Sequence, residues 1–224
     1  MEKGLLNLYK FSNRENPIII EFRKRRKLLQ EVMNDIFNKE LEANHDYHFD
    51  AIIELMQKTI SKYYNILNIN SFSIESDSEQ QFIILTLIYN YAGDKIPAAK
   101  HYLNRCKYRR LDKINMLNVI CNSKVGLFNV VDFDKETRLI TLSNIVTKED
   151  IKIIDEGLSF TCEYQNYQDY ILLARTLKFE DYHIIDGTCQ LFKNNITNKL
   201  IKLYTDKKIN DTQLLILGQA IEFK

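Results

Sequence analysis

Residues 125–142, "VGLFNVVDFDKETRLITL", mark the point at which the sequence changes from helical to β patterning. Two runs of β-branched, aromatic and aliphatic residues flank a polar turn over residues 134–137, which is the pattern of a β-hairpin. Asp134 suits this turn because its carboxylate can accept hydrogen bonds from nearby main-chain N–H groups. The stretch therefore predicts that β structure begins near residue 124.

Three more runs with strand character follow before residue 192. They are "DIKIID" (150–155), "DYILLARTL" (169–177) and "YHIIDGTCQLF" (182–192). Only "LSFTCEYQNY" (158–167) between them has a helical pattern. Five short, mostly antiparallel strands favour a small barrel, because closing the sheet removes its exposed edges.

The sequence on either side of this β region has helical periodicity. The stretch "NPIIIEFRKRRKLLQEVMNDIFNKEL" (16–41) places Asn16 as a cap and Pro17 in the first turn, where its missing N–H costs nothing. The predicted class is α+β. A helical region spans residues 1–123, a five-stranded barrel-like domain residues 124–192, and a C-terminal helical segment, residues 193–224, packs on the rest.

The composition is that of a globular protein without a strong overall charge. Of 224 residues, 45% are hydrophobic and 27% are charged, and such a chain is long enough to bury a sizeable core. The net charge of +1 provides no global field to attract a polyanion. Residues 1–124 carry 19 Lys and Arg against 15 Asp and Glu, and the remainder 12 against 15, which does not identify a partner.

The four cysteines, Cys106, Cys121, Cys162 and Cys189, are too widely spaced for a zinc or dithiol motif. They predict reduced thiols and a cytoplasmic location. The N-terminus has no signal-peptide pattern, and no window of about 18 residues is uninterruptedly apolar, so no membrane partner is expected. Phosphate-binding and nucleophile motifs are also absent, so the sequence predicts no cofactor and favours a non-catalytic protein without excluding an enzyme.

Several phrases share their layout with a known group. A helix ends near "YNYAG", short helices run through "IPAAKHYL", and a barrel contains "GLFNVVDFD", "DYILLARTL" and "IIDGTCQLF". From about Phe82 to Phe192 the chain thus resembles bacterial proteins that sometimes carry an SEC-C zinc motif. The chain departs from them in lacking clustered cysteines and an aromatic residue near Thr86. The resemblance implies a fold and no reaction. The absence of Trp and the frequent Asn, Ile, Lys and Tyr are typical of an AT-rich bacterial genome or of a mobile element.

The basic run at residues 23–27 surrounds its helix. Because each residue advances by 100°, Arg25 and Arg26 flank the apolar stripe, and the other three point outward. We predict that the stems of Arg25 and Arg26 lie along the core and reach carboxylates. Glu21 and Glu31, four residues from Arg25 and Lys27 respectively, are the expected helical partners.

The alternative is a nucleic-acid interface. The outward residues of the run would contact phosphates, and "KYRR" (107–110) would extend the patch if the fold brings it close. The candidate residues are Arg23, Lys24, Lys27, Arg109 and Arg110.

Two further features have residue types that occur in binding sites: a histidine pair and an arginine within a strand. His45 and His48 are three residues apart and can meet one metal ion from a helical turn, but no third or fourth ligand is identifiable, so no metal site is predicted. Arg175 lies in a predicted strand, where Asp155, Asp169 or Asp181 are its expected partners.

The leading hypothesis is a non-catalytic module that binds another macromolecule, most simply a protein. A protein-binding module should expose an apolar patch on the barrel or first helix. A nucleic-acid binder should place the five basic residues on one connected surface, and an enzyme should show a deep pocket with convergent polar groups.

Overall fold

The first described helix begins where Asn16 and Pro17 predict. In the computed structural model, which describes residues 16–42, 45–67, 69, 77–90, 96–164, 167, 170–187 and 189–222, helix α1 spans Pro17–Ile36. The side chain of Asn16 accepts a hydrogen bond from the main-chain N–H of Ile18 at 3.0 Å, which satisfies one of the free donors of the first turn. A π-helical segment, Phe37–Leu41, continues the helix.

Four more helices lie in the described residues before the β region. They are α2 (His45–Leu67), α3 (Asp77–Tyr89), α4 (Ala98–Arg105) and α5 (Leu111–Cys121). Helix α3 is buried over most of its second half, as its nearly continuous apolar sequence predicts. Its predicted end at Gly93 lies outside the described residues.

The hairpin at residues 125–142 is present. Strand β1 (Lys124–Phe133) pairs antiparallel with β2 (Ile140–Asn144). In the turn, Asp134 accepts hydrogen bonds from the main-chain N–H of Glu136 at 2.8 Å and from Thr137 Oγ1 at 2.6 Å. Those bonds hold the pKa of the Asp134 carboxyl below its usual value, with the bond from Thr137 contributing most.

Four more strands complete the sheet: β3 (Asp150–Ile154), β4 (Tyr170–Lys178), β5 (His183–Ile185) and β6 (Gln190–Lys193). The strand order is β1-β2-β3-β5-β4, and β4 pairs again with β1, which closes a five-stranded barrel. Only β3 and β5 are parallel. The predicted α+β class and barrel are confirmed. The run at 182–192 forms two strands, of which β6 lies outside the ring beside β4.

Helix α6 (Glu156–Tyr164) connects β3 to β4 and closes one end of the barrel with Leu158 and Cys162. This strand order, with a helix between the third and fourth strands, is the topology of an OB-fold barrel. The interior is apolar, and its side chains include Phe128, Val130, Ile140, Leu142, Ile153 and Leu172.

The last two helices, α7 (Asn194–Thr205) and α8 (Asp211–Glu222), contact both the helical region and the barrel. The main core contains residues from all three predicted regions, so the outer face of β1 and β4 is continuous with the helices. No described helix combines the length and apolar character needed to cross a membrane.

Candidate functional site

The first half of α1 lies on the outside of the barrel. Along β3 and β5, Ile153 and Ile185 face the interior, so Ile154 and Ile184 face outward because side chains alternate along a strand. Ile19 and Phe22 of α1 pack on these two outward residues and on Tyr182. We call this barrel surface the helix cleft. Its apolar residues are Leu139, Ile154, Phe179, Tyr182 and Ile184.

Arg25 is held in the helix cleft by rings and carboxylates. Its guanidinium lies 4.7 Å from the ring centre of Phe179 and 4.9 Å from that of Tyr182. Its Nε donates to Glu21 at 3.0 Å, and Asp181 lies 3.7 Å from its Nη2. Burial raises the pKa of the Tyr182 hydroxyl, and the neighbouring charge of Arg25 opposes this rise.

Arg26 reaches the opposite rim of the helix cleft. Its Nη1 donates to the main-chain oxygen of Ile185 at 3.0 Å and to Asp186 at 3.4 Å, and Asp155 lies 4.0 Å from Nη2. The predicted behaviour of Arg25 and Arg26 is therefore confirmed. We call Asp155, Glu156, Asp181 and Asp186 the carboxylate rim.

The outward basic residues have mixed surroundings. Arg23 pairs with Glu156 at 3.7 Å, whereas Lys24 and Lys27 are exposed and make no ion pair with any described residue. The expected pairing of Lys27 with Glu31 is wrong. Glu31 lies 3.6 Å from Arg110 instead, because α5 packs beside α1 and offers a closer cation.

The fold thus brings "KYRR" next to the basic helix, as the nucleic-acid alternative requires. Carboxylates lie among the cations, however: Arg110 binds Asp112 as well as Glu31, and Arg109 is exposed. The role of the five candidate residues in nucleic-acid binding stays a prediction.

Arg175 occupies a place that the sequence did not predict. On β4, Ala174 faces the barrel interior, so Arg175 faces the helices, where it is only 6% exposed. Its Nη1 donates to Ser123 Oγ at 3.0 Å, its Nη2 donates to Asn90 Oδ1, and its guanidinium lies 4.4 Å from the ring centre of Tyr89. The expected pairing with Asp155 or Asp181 is wrong, because both lie at the barrel rim; Asp169 is outside the described residues.

Asp186 connects this buried group to α1. It accepts hydrogen bonds from the Tyr89 hydroxyl and from Arg26. Burial, followed by the charge of Asp186, raises the pKa of Tyr89, and burial lowers the pKa of Arg175. The adjoining pocket, lined by Thr86, Asp186 and Gly187 among others, has a volume of about 10 Å³, which is the lower limit for one water molecule.

An aromatic pair is exposed on α6. Phe160 and Tyr164 are 37% and 56% exposed, and their ring centres are 4.7 Å apart. Glu156 lies one turn before Phe160, and Glu163 beside Tyr164 pairs with Arg138 at 2.7 Å. The i, i+4 spacing of the two aromatic residues was visible in "LSFTCEYQNY", but sequence alone did not show which face is exposed.

Residues 18–214 match the model of a protein family of unknown function, DUF7986. The chain belongs to the DUF7986 family. The match includes α1 from its second residue onward and the whole barrel, so the helix cleft and the residues of α1 that pack in it lie within one family unit. No curated protein and no solved structure gives a significant match.

The part of the outer face of β1–β3 that lies away from the helices is largely polar in this DUF7986 protein. Its outward residues include Asn129, Thr141, Ser143, Asp150 and Lys152. The three strands, all of which are described, carry no aromatic residue on this face. OB-fold barrels that bind single strands use aromatic rings there to stack bases.

The metal candidates of the DUF7986 protein are not brought into a described site. The backbone of His45 and His48 lies in α2, and their side chains are outside the described part of the structure. Among described residues, no group of three or more His, Cys, Asp and Glu is arranged to hold a metal ion. None of the four cysteines forms a disulfide bond in the described structure.

Proposed function

We propose that this protein is a non-catalytic protein-interaction module and that helix α6 is its docking surface. The observation that carries the proposal is the exposed pair of Phe160 and Tyr164, whose ring planes are tilted by 44° to each other. Large aromatic side chains are enriched at protein interfaces, where they act as anchors with little loss of conformational entropy. A pair on the helix that closes the barrel is rigidly supported, which lowers the entropic cost of binding further.

The charges around the pair favour a basic partner. Residues 125–164 carry four Lys and Arg against eight Asp and Glu. Ile20 of α1, 40% exposed, lies one turn from Arg23, which in turn contacts Glu156 of α6. We infer a partner segment that packs an apolar side chain against Phe160 and Tyr164 and pairs cations with the surrounding carboxylates.

The proposal is tested by removing the two aromatic side chains of α6 and leaving the fold intact. Phe160→Ala with Tyr164→Ala should abolish capture of a specific protein from the native host, as measured by crosslinking, co-purification and mass spectrometry. Tyr64→Ala is the matched control, because Tyr64 is a 50% exposed tyrosine on α2. Equal capture by the double variant and by the control would refute α6 as the docking surface.

Nucleic-acid binding is the second candidate. Arg110 lies beside α1 through its contact with Glu31, and Lys24, Lys27 and Arg109 are exposed. Interspersed carboxylates and the non-aromatic outer face of β1–β3 favour the protein-binding proposal over it.

We also infer a cytoplasmic location in a bacterial cell. Four cysteines without a disulfide bond among them support a reducing compartment. The absence of Trp and the frequent Asn, Ile, Lys and Tyr support an AT-rich bacterial source. The layout of residues 82–192 supports kinship with the proteins that sometimes carry an SEC-C motif.

A further inference from the structure

The two halves of α1 have different partners. Leu29, Val32 and Ile36 belong to the main core, whereas Ile19 and Phe22 belong to a separate small cluster in the helix cleft. The contacts of the first half with the barrel are therefore largely separate from those of the second half with the main core, and Phe179 packs against both clusters.

The helix cleft has the chemistry of a receptor for a basic amphipathic helix. It combines an apolar floor, two aromatic rings and the four acids of the carboxylate rim. Helix α1 meets this surface with Phe22 and, three and four residues later, with Arg25 and Arg26. A helix that lies in a groove through residues at this spacing is a common mode of protein recognition, and rings favour cations placed over their faces.

The ion pairs that join the first half of α1 to the carboxylate rim are partly open to solvent. The Asp181 side chain is 75% exposed where it meets Arg25, and the side chains of Arg23 and Glu156 are 46% and 42% exposed. Exposed ion pairs contribute less than about 1 kcal/mol each, so the polar part of this contact is weaker than a buried core contact.

We propose that the helix cleft is a binding site for an arginine-bearing amphipathic helix of a partner protein, and that residues 17–26 of α1 occupy it as an internal competitor. The partner helix would place an apolar residue on Ile154 and Ile184 and an arginine between Phe179 and Tyr182. The partner can bind only molecules in which the cleft is free. Internal occupancy therefore lowers the apparent affinity for the partner in proportion to the fraction of such molecules. The helix cleft is distinct from the Phe160 and Tyr164 pair on α6. The cleft proposal and the proposal of docking on α6 can therefore fail independently.

The test uses the full chain and a labelled peptide of residues 16–29, "NPIIIEFRKRRKLL", as a stand-in for the partner helix. Arg25→Ala in the protein weakens the internal occupant, so the peptide should bind this variant at least about ten-fold more tightly than it binds the wild type. Lys24→Ala is the matched control, since Lys24 lies on the same helical turn as Arg25 and makes no ion pair with any described residue. The peptide should bind this variant as it binds the wild type. Fluorescence anisotropy measures each affinity.

A second peptide separates cleft binding from simple charge attraction. Ile19→Ala with Phe22→Ala in the peptide keeps its charge and removes the residues that enter the cleft, so its binding should be lost. Equal affinity of both peptides, or of the intact peptide for the Arg25→Ala and Lys24→Ala proteins, would overturn the proposal.

Hydrogen exchange of the wild-type protein decides the matter if Arg25→Ala does not fold. Residues 17–26 should exchange at least about ten-fold faster than residues 29–36, because local opening of the first half does not require opening of the core. Equal protection of the two halves would show that α1 is a single rigid element and would refute the internal competitor.

Discussion

Arg26 donates a hydrogen bond to the main-chain oxygen of Ile185 at 3.0 Å, although 159 positions separate the two residues in the chain. The same guanidinium contacts Asp186, which also accepts a hydrogen bond from Tyr89 of α3. The end of β5 is therefore the point at which α1, the barrel and the helical region meet. Stability at this junction should depend on Arg26 more than on its exposed neighbours.

Replacing Arg26 by Ala should lower the free energy of unfolding by about 1–2 kcal/mol, because it removes charged hydrogen bonds to Ile185 and Asp186. Lys24→Ala removes a similar length of side chain from an exposed position and should change stability by less than about 0.5 kcal/mol. Urea denaturation of both variants measures the difference. Equal stability would contradict a structural role for Arg26.

Reversing the charges of Arg23, Lys24 and Lys27 to Glu should leave the fold intact. The contact of Arg23 with Glu156 is largely exposed, and such pairs contribute less than about 1 kcal/mol. Circular dichroism and a thermal melt of the triple variant check this expectation. On the protein-binding proposal, gel-shift titrations should show no salt-sensitive affinity of the wild type for duplex or single-stranded nucleic acid.

The same triple variant also tests the nucleic-acid alternative. An interface through these residues and Arg109 or Arg110 would give binding that falls steeply as salt rises and that is lost on charge reversal. That result would favour the second candidate function over docking on α6.

The fold was largely predictable because local patterns decide most of it. The hairpin, the α1 cap and the terminal helices each follow from short-range periodicity or turn chemistry. Barrel closure required only the count of short strands and the cost of open edges. The division of residues 182–192 into two strands was not predictable, because β5 and β6 pair with different stretches of β4.

The polar contacts of the candidate sites were less predictable, because they join residues far apart in sequence. A helical wheel placed Arg25 and Arg26 beside the apolar stripe, which was sufficient to predict that their stems pack and pair. It could not reveal that Glu31 would pair with Arg110 and not with Lys27. Likewise, strand alternation points Arg175 away from the interior, but only the packing of α3 provides Asn90 and Tyr89 as its partners.

Cys162 should react with thiol reagents more slowly than Cys106 at about pH 8. Burial, with a smaller effect of the Asp155 charge, raises the pKa of the Cys162 thiol to about 11, so little thiolate forms. Cys106 is only half-buried. Mass spectrometry after timed alkylation measures the order, and denatured protein should show four reactive thiols. Cys162 modified as fast as Cys106 in the native protein would contradict the prediction.

Asp35 should contribute stability that acid removes. Burial opposes ionisation of Asp35, but hydrogen bonds from Lys113 at 2.8 Å and Tyr108 at 2.6 Å outweigh it and lower the pKa below its ordinary 3.8. A carboxyl with a lowered pKa in the folded state stabilises above its unfolded pKa and loses this contribution as the pH falls through the folded value.

Asp35→Asn should therefore be less stable than the wild type at neutral pH by about 1–2 kcal/mol, and the two stabilities should converge as the pH falls below about 3.8. Asp150→Asn, at an exposed position without a described ion pair, is the control and should follow the wild type. Denaturation in urea across this pH range provides the comparison, and a gap that stays constant with pH would rule out linkage through Asp35.

Two glycines should respond oppositely to alanine, because only one lies in a tight contact. A Cβ at Gly218 of α8 would lie 2.3 Å from Gln190 Oε1 and 2.4 Å from Leu173 Cδ2, so Gly218→Ala must move the buried Gln190 and Leu173 side chains or displace α8 from the barrel. Overpacking of this kind costs about 1–3 kcal/mol. At Gly157 of α6 the nearest atom would be Asp155 Oδ1 at 3.5 Å, which is ordinary contact, so Gly157→Ala should stabilise by about 0.5 kcal/mol through helix propensity. Thermal and urea unfolding of both variants test the pair. Unchanged stability of Gly218→Ala would mean that α8 does not depend on this close approach to the barrel.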